Sequence, residues 1–281
     1  MTIFEAYNNT KKKLQAAGIE DYVFEAKEII KHITGLNASQ ILTLYSKKLT
    51  EFEENNLTAI LRQREIRYPL QYIFTKWDFY GRSFYVGPGV LVPRADTETV
   101  IDVCKEFLNG KDSMRILDLC AGSGCIGITL AKEFSTAEVL MIEKYAEAIS
   151  YAEKNINSNS ADNAKISSGD IFLKSGAEEK YDLIVSNPPY IPENEMSITS
   201  PETKFEPETA LIARDGGMEF YKAIIENYTD SLRAGGMLCF EVGVSGAKTV
   251  VSLLEKAGYR DIRVKKDLGG IDRAVSAIKN N

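Results

Sequence analysis

The spacing of hydrophobic and polar positions changes along this 281-residue chain. Over the first 70 residues apolar positions recur every three to four residues, which predicts a small bundle of charged amphipathic helices. The run Thr50-Glu51-Phe52-Glu53 matches a capping box and predicts a helix start. The helical spacing groups the following positions: Phe4, Tyr7, Lys11 and Leu14 in one helix, and Val23, Ala26, Ile29 and Ile30 in another.

The helical period is lost after Pro69, where we expect the helices to end because proline breaks a helix interior. Strand-forming aromatic and β-branched residues dominate from Gln71 to Val92. Turn points follow at Gly81 and at Gly87-Pro88-Gly89. This pattern predicts a β-hairpin linker over residues 71–93.

From residue 94 onward, predicted helices and strands alternate, with Asp96 as a candidate N-cap for the first helix. This order predicts an α/β fold with a doubly wound, mostly parallel, seven-stranded sheet. The last strand should be antiparallel, because Leu268-Gly269-Gly270 is too short for a crossover helix. The predicted strands are Ile116 to Leu119, Val139 to Ile142, a short one near Ile166, Leu183 to Ser186, Met237 to Val242, Ile262 to Val264 and Ala274 to Ile278.

Composition narrows the class of protein. A formal charge of -6 and a pI near 5.2 argue against a nucleic-acid-coating surface, which needs clustered Lys and Arg. The four cysteines have no C-x-x-C spacing and His32 is the only histidine, so we expect no metal site and reduced thiols. No stretch is apolar enough to span a bilayer, and the amino terminus lacks a signal-peptide core. We therefore expect a cytoplasmic protein that acts as a monomer, without membrane or direct nucleic-acid contacts.

The most informative motif is Asn187-Pro188-Pro189-Tyr190, directly after the predicted strand that ends at Ser186. Two prolines cannot donate ladder hydrogen bonds, so the chain must leave the sheet in a stiff conformation. Ligands of open α/β sheets bind at the carboxyl ends of the strands. A rigid loop with an amide, proline carbonyls and an aromatic ring suits a planar amino or amide group, which indicates a site of amino-group methylation.

A second motif, Asp118 to Gly127, reads as a strand, a glycine turn and a helix start. Its Gly122-x-Gly124-x-x-Gly127 spacing also matches the dinucleotide fingerprint, and Glu143 has the expected ribose-binding position. Because the Asp118 carboxylate would lie close to a pyrophosphate, we favour a cationic, amino-bearing ligand. S-adenosylmethionine has an amino group, a sulfonium and a ribose diol, and it has no phosphate.

With these motifs together, the chain resembles the release factor glutamine methyltransferases, a branch of the class I S-adenosylmethionine-dependent enzymes. The resemblance covers nearly the whole chain. It also includes these segments: Gln71-Tyr72-Ile73, Pro93-Arg94 with Asp96-Thr97-Glu98, and Phe205-Glu206-Pro207 with Ala210-Leu211. It departs at the third strand, where Ile171 follows Asp170 and the aromatic Phe172 comes one position later.

The resemblance implies methyl transfer to the side-chain nitrogen of the glutamine in a Gly-Gly-Gln loop of a peptide chain release factor. Residues 1–70 would recognise the substrate, and residues 94–281 would bind S-adenosylmethionine. The expected catalytic residues are Asn187, Pro188 and Tyr190, and the expected substrate contacts are these three with Pro189 and Glu206. The expected cofactor contacts are Asp118, Cys120, Ala121, Gly122, Ser123, Gly124, Glu143, Asp170, Ile171 and Asn187.

Two other classes stay open at this point. A DNA adenine or RNA amino methylase would share the Asn187 to Tyr190 loop, although it should carry a basic face or a recognition insert. A non-catalytic cofactor-binding protein would not need Asn187, and it should transfer no methyl group.

Overall fold

A computed structural model describes residues 1–173 and 180–280 of the chain. The described residues form two compact units. The helical unit contains Met1–Thr75 and Ser200–Phe205, and the sheet unit contains Lys76–Thr199 and Glu206–Asn281. Over the described residues, no helix is both long enough and apolar enough to cross a membrane.

Short amphipathic helices build the helical unit. The expected capping box is present, since Thr50 Oγ1 accepts from the Glu53 amide and the Thr50 amide donates back to the Glu53 carboxylate. Gly35 ends the second helix in a left-handed conformation. The helices are α1 (Ile3–Ala16), α2 (Tyr22–Thr34), α3 (Ala38–Thr43), α4 (Glu51–Glu65) and α5 (Leu70–Phe74), and a further 3-10 helix covers Pro201–Phe205.

Two expectations for this unit are wrong in detail. The buried face of α1 carries Ile3, Ala6, Thr10 and Leu14, whereas Phe4 is 53% exposed. Burial of the predicted face would have buried the charge of Lys11, which is costly. The observed buried face is shifted by one position along the helix, which avoids this cost. Pro69 also does not end the helices, because it caps α5; proline is tolerated where a helix begins.

A buried arginine ties the Ser200–Phe205 segment to α4. Arg64 is 1% exposed and forms a two-point ion pair with Glu25, with both donor–acceptor distances at 2.8 Å. The same guanidinium donates to Glu202 at 3.0 Å, and Arg67 forms a second two-point pair with Glu202. These paired charges fix the segment within the helical unit.

The sheet unit alternates strands and helices as expected. Its strands are β1 (Lys76–Phe79), β2 (Arg82–Tyr85), β3 (Arg115–Leu119), β4 (Glu138–Glu143), β5 (Ala164–Ser168), β6 (Tyr181–Ser186), β7 (Ile191–Pro192), β8 (Ile212–Ala213), β9 (Leu232–Glu241), β10 (Arg260–Lys266) and β11 (Asp272–Ile278). Its α-helices are α6 (Glu98–Leu108), α7 (Cys125–Glu133), α8 (Ala146–Ser158), α9 (Arg214–Gly217), α10 (Glu219–Tyr228) and α11 (Ala247–Lys256). Its 3-10 helices are Ala95–Thr97, Glu193–Ile198, Glu208–Ala210 and Thr229–Ser231.

The main sheet has seven strands among the described residues, in the order β10-β11-β9-β6-β3-β4-β5. The strands from β9 to β5 in this order are parallel, and β11 pairs antiparallel with both β9 and β10. The predicted fold class is therefore confirmed, including the antiparallel last strand. The carboxyl ends of β3, β4, β5 and β6 all lie at one edge of the sheet, where ligands of this architecture bind.

Helices cover both faces of this sheet. Apolar residues of α6 and α7 pack on one face, and those of α10 and α11 pack on the other. The predicted hairpin is present as the antiparallel pair β1–β2, but it begins at Lys76 and not at residue 71, because Leu70–Phe74 form α5. The Tyr80 amide donates to Glu98 at 2.7 Å. Asp96 does not cap α6, contrary to expectation, because its carboxylate pairs instead with Arg273 at 3.1 Å.

Candidate active site

The Asn187 to Tyr190 corner leaves the sheet at the carboxyl end of β6. The strand pairs through Ser186, whose hydroxyl donates to the Leu119 carbonyl at 2.6 Å, and the two prolines then carry the chain out of the ladder. The returning chain packs tightly here, since a Cβ placed on Gly217 would lie 2.4 Å from the Tyr190 carbonyl oxygen. The backbone at Gly217 therefore packs against the Asn187 to Tyr190 corner and supports it.

Asn187 is half-buried at this corner. Its Nδ2 donates to the Thr97 hydroxyl at 3.4 Å. Because an amide has one nitrogen and one oxygen, this bond fixes the amide orientation and leaves Oδ1 as an acceptor. The corner thus presents a defined hydrogen-bond acceptor.

The glycine loop joins β3 to α7 with left-handed backbone at Cys120, Gly122 and Gly124. Gly124 must stay small, since a Cβ there would lie 2.9 Å from the Ile128 side chain. A Cβ on Gly127 would lie 2.6 Å from Met141, so this glycine allows α7 to pack closely on β4.

Glu143 ends β4 directly opposite this loop. One carboxylate oxygen accepts from the Gly122 amide at 2.9 Å. The other accepts from the amides of Lys144 and Tyr145 at 2.8 and 3.0 Å. Glu143 is 7% exposed, so the backbone holds a nearly buried carboxylate at the expected ribose-binding position.

Asp170 follows β5 at the same edge. Its side chain pairs with Lys144 at 2.9 Å, and the hydrogen bond from Lys144 lowers the pKa of the carboxyl despite opposing desolvation. Ile171 is buried, whereas Phe172 is 43% exposed and meets the Phe220 ring edge to face at 5.0 Å. The aromatic shifted by one position thus still borders the site.

These elements surround one cleft with a volume of about 980 Å³, including the space that opens to solvent. The predicted residues that line the cleft are Cys120, Ala121, Gly122, Ser123, Glu143, Asp170, Ile171, Asn187 and Pro189. The structure therefore brings both motifs to one cavity.

Other predicted residues lie outside the lining. Asp118 is fully buried under the glycine loop, where its Oδ2 accepts from the Gly127 amide at 2.8 Å and burial raises the pKa of its carboxyl to about 8. Tyr190 donates its hydroxyl to Glu241 at 3.3 Å, and buried Glu206 pairs with Arg94 at 2.6 Å. Gly124 and Pro188 are also absent from the cleft surface.

Several lining or supporting residues were missed by sequence reasoning. The segment from Gly89 to Arg94 lines the cleft, and so do Thr97 and Phe220. Buried Asn155 in α8 donates to the carbonyls of Tyr85 and Ser123, which ties the hairpin to the glycine loop. No short motif marks Asn155 or Phe220 in the sequence.

The arrangement defines the class: a Rossmann-like methyltransferase, with a glycine loop after the first parallel strand, an acidic residue after the second and the Asn187 corner after the fourth. A family model described as "Methyltransferase small domain" matches residues 97–220, and one described as "PrmC N-terminal domain" matches residues 5–74. The crystal structure of a methyltransferase from Pyrococcus furiosus has a similar fold. Its TM-score is 0.53 at 19% identity, and the match covers 81% of this chain and 100% of that chain.

Full-length relatives define the family. The release factor glutamine methyltransferase of Fusobacterium nucleatum is 34% identical over 277 residues, which cover 98% of this chain and 78% of that protein. The release factor glutamine methyltransferase of Geobacter sulfurreducens is 33% identical over 275 residues, which cover 98% of this chain and 95% of that protein. The chain belongs to the release factor glutamine methyltransferase family, as its sequence motifs predict.

Proposed function

We propose that this protein transfers a methyl group from S-adenosylmethionine to the side-chain amide nitrogen of a glutamine, in the Gly-Gly-Gln motif of peptide chain release factors. The relatives described above are named as release factor glutamine methyltransferases, which supports the proposed acceptor. The observation that carries the proposal is the orientation of Asn187. Its amide nitrogen bonds Thr97, and its oxygen is left as an acceptor beside a cleft suited to the methyl donor.

The cleft residues fit S-adenosylmethionine. Glu143 is a fixed carboxylate that can accept from the ribose diol, and Gly122 beside it has no side chain to block a close approach. Ile171, Phe172 and Phe220 provide apolar surface for a purine. Asp118 and Gly124 contribute from below the cleft surface, by holding the loop in place.

The difficulty of the reaction is that an amide nitrogen is a poor nucleophile. We expect the Asn187 side-chain oxygen and the Pro188 carbonyl to accept both hydrogens of the substrate amide, which aims its nitrogen at the donor. When bound, S-adenosylmethionine would supply an electrophilic sulfonium methyl group: the N–C bond would form as the C–S bond breaks, with the electron pair left on sulfur and one proton lost from nitrogen to solvent. Positioning can supply about 7–11 kcal/mol, and a preorganised polar contact adds roughly 3–4 kcal/mol.

The helical unit would recognise the release factor, and Glu206, paired with Arg94, would hold the loop near the glutamine. We propose that the protein acts as a monomer in the cytoplasm, without direct contact to nucleic acid. The net charge of -6 argues against direct contact with nucleic acid, and the four free cysteines fit a reducing compartment.

The proposal is tested by incubation with labelled S-adenosylmethionine and a purified release factor, and separately with DNA and RNA. Mass spectrometry should place the label on the glutamine of Gly-Gly-Gln, and a release factor with that glutamine replaced by alanine should take no label. Label in DNA or RNA would favour an amino methylase of nucleic acid. No label in any substrate would favour a non-catalytic binding protein.

A further inference from the structure

A buried carboxylate lies under the Asn187 corner. Glu241 ends β9, which is the neighbour of β6 in the sheet, and it is 1% exposed. Side chains alternate along a strand, and Met237 and Cys239 of β9 pack in the same core as α6. Glu241 therefore faces the α6 side of the sheet, where Thr97 precedes that helix.

Glu241 contacts both polar residues of the corner. Its Oε1 accepts from the Tyr190 hydroxyl at 3.3 Å, and the Thr97 side chain lies close enough to the same carboxylate to favour its charged form. The Thr97 oxygen also accepts from Asn187 Nδ2 at 3.4 Å, so its single proton is available to Glu241. One carboxylate thus accepts directly from Tyr190 and lies near the hydroxyl that accepts from Asn187.

Stability alone does not explain a carboxylate at this position. Its Oε2 is buried without a hydrogen-bond partner among the described residues. Burying such a group is costly, and an apolar or amide side chain of similar size would cost less. The Tyr221 hydroxyl of α10 donates to the Glu241 backbone carbonyl at 2.9 Å, so it does not pair with the carboxylate.

We propose that Glu241 is a positioning residue for methyl transfer, which holds Tyr190 and, through Thr97, the Asn187 amide in the orientation that receives the substrate glutamine. This inference rests on the proposed function. Glu241 does not line the cleft, so it should act on turnover and leave the affinity for the donor unchanged.

Ionisation of Glu241 should then appear in the activity. Burial raises the pKa of this carboxyl to about 7, while Thr97 and Arg273 favour the charged form. Tyr190, Cys125 and the Asp96–Arg273 pair, which is 3.1 Å apart, also face this carboxylate. Arg273 is permanently charged, and the buried tyrosine and cysteine keep their protons because their pKa values are raised. Among the groups that face this carboxylate, Glu241 itself is therefore the one that titrates near pH 7, whereas Asp118, under the glycine loop, titrates near pH 8.

Protonation of Glu241 removes the negative charge next to the Tyr190 and Thr97 hydroxyls. Turnover of the wild-type protein should fall as the pH drops below about 7, on the order of tenfold for each pH unit. Above that pH, Glu241 is ionised and its own effect on turnover should be constant, and any change near pH 8 from Asp118 should be shared by the wild type and the Glu241 variant.

The test is Glu241→Gln, assayed with a release factor between pH 5.5 and 8.5 and with donor affinity measured by calorimetry. We expect turnover at pH 8 to fall about 10- to 100-fold, the loss of activity toward acid pH to disappear, and donor affinity to stay within twofold. Asp182→Asn is the control, because Asp182 lies at the amino end of β6 and pairs with Arg233. The inference would be overturned if Glu241→Gln had wild-type turnover. It would also be overturned if turnover of this variant still fell toward acid pH as in the wild type.

Thr97→Val is a second variant, which removes the hydroxyl with almost no change in volume. It should also lower turnover, and adding it to Glu241→Gln should cost little more, because both changes break the same connection. If the double variant lost turnover by the product of the two single-variant factors, the inference would be overturned. Normal turnover in Thr97→Val would also overturn it. A wild-type protein that does not methylate release factors would refute the proposed function itself, before either variant is compared.

Discussion

Replacement of Glu143 by alanine tests the cofactor half of the site. The carboxylate accepts three backbone hydrogen bonds, from Gly122, Lys144 and Tyr145, at 2.8–3.0 Å. A carboxylate offers about four acceptor positions, so roughly one remains for the ribose diol of the donor. The substitution removes this acceptor and releases the Gly122 amide at the same time.

The expected loss follows from these contacts. A hydrogen bond to a charged group contributes about 1.5–3 kcal/mol. Loss of the ribose contact should therefore weaken donor affinity about 10- to 150-fold. The substitution also breaks three backbone hydrogen bonds, although water can bind the released amides. We therefore expect the free energy of unfolding to fall by about 2–4 kcal/mol.

Isothermal calorimetry with S-adenosylmethionine measures the first effect, and urea denaturation measures the second. Glu138→Ala is the matched control, because Glu138 begins the same strand at the opposite edge and its side chain is 79% exposed. The control should bind the donor as the wild type does. Unchanged affinity in a folded Glu143→Ala protein would refute the ribose role.

Three further predictions concern the corner and the loop. Asn187→Ala should lower turnover about a hundredfold or more and leave donor affinity within a few-fold, and near-normal steady-state turnover would refute its role. Gly217→Ala should lower turnover far more than Gly216→Ala. A Cβ at Gly217 would lie 2.4 Å from the Tyr190 carbonyl oxygen, whereas a Cβ at Gly216 would meet open space. Equal turnover in the two variants would contradict this prediction. Burial raises the pKa of Asp118 to about 8, so its contribution to stability is complete below about pH 4 and is lost as the pH rises through 8. In urea titrations, Asp118→Asn should therefore lose less unfolding free energy between pH 5 and 9 than the wild type, and an identical pH dependence would show that Asp118 is not the cause.

Most of the fold was predictable because its signals are local. A short apolar run such as Leu183 to Ser186 marks a buried strand, and the prolines after it mark the exit from the sheet. Glycine spacing similarly placed the loop from Cys120 to Gly124. These features depend on neighbouring residues, so one sequence contains them.

The missed features depend on contacts between distant residues. Glu241 reads as the end of a strand, and only the pairing of β9 with β6 brings it under the Asn187 corner. Asn155 meets Tyr85 across 70 residues of sequence. In α1, periodicity predicted a buried face, but packing against the other helices decided which of two adjacent stripes was buried.

The expected cofactor role of Asp118 shows the limit of motif reasoning. Its position before the glycine turn suggested a carboxylate that faces the ligand. The side chain instead points under the loop and accepts from the Gly127 amide. Spacing along the chain located the residue correctly, and the side of the strand on which it lies was set by the pleat.

The central claim is that the cleft holds the methyl donor with its sulfur facing the Asn187 corner. A crystal structure with bound S-adenosylhomocysteine tests it most directly. We predict that the ribose lies on Glu143 and that the sulfur faces the Asn187 side-chain oxygen across a gap wide enough for one methyl group. A sulfur atom that faces away from Asn187, or a ligand bound outside this cleft, would contradict the claim.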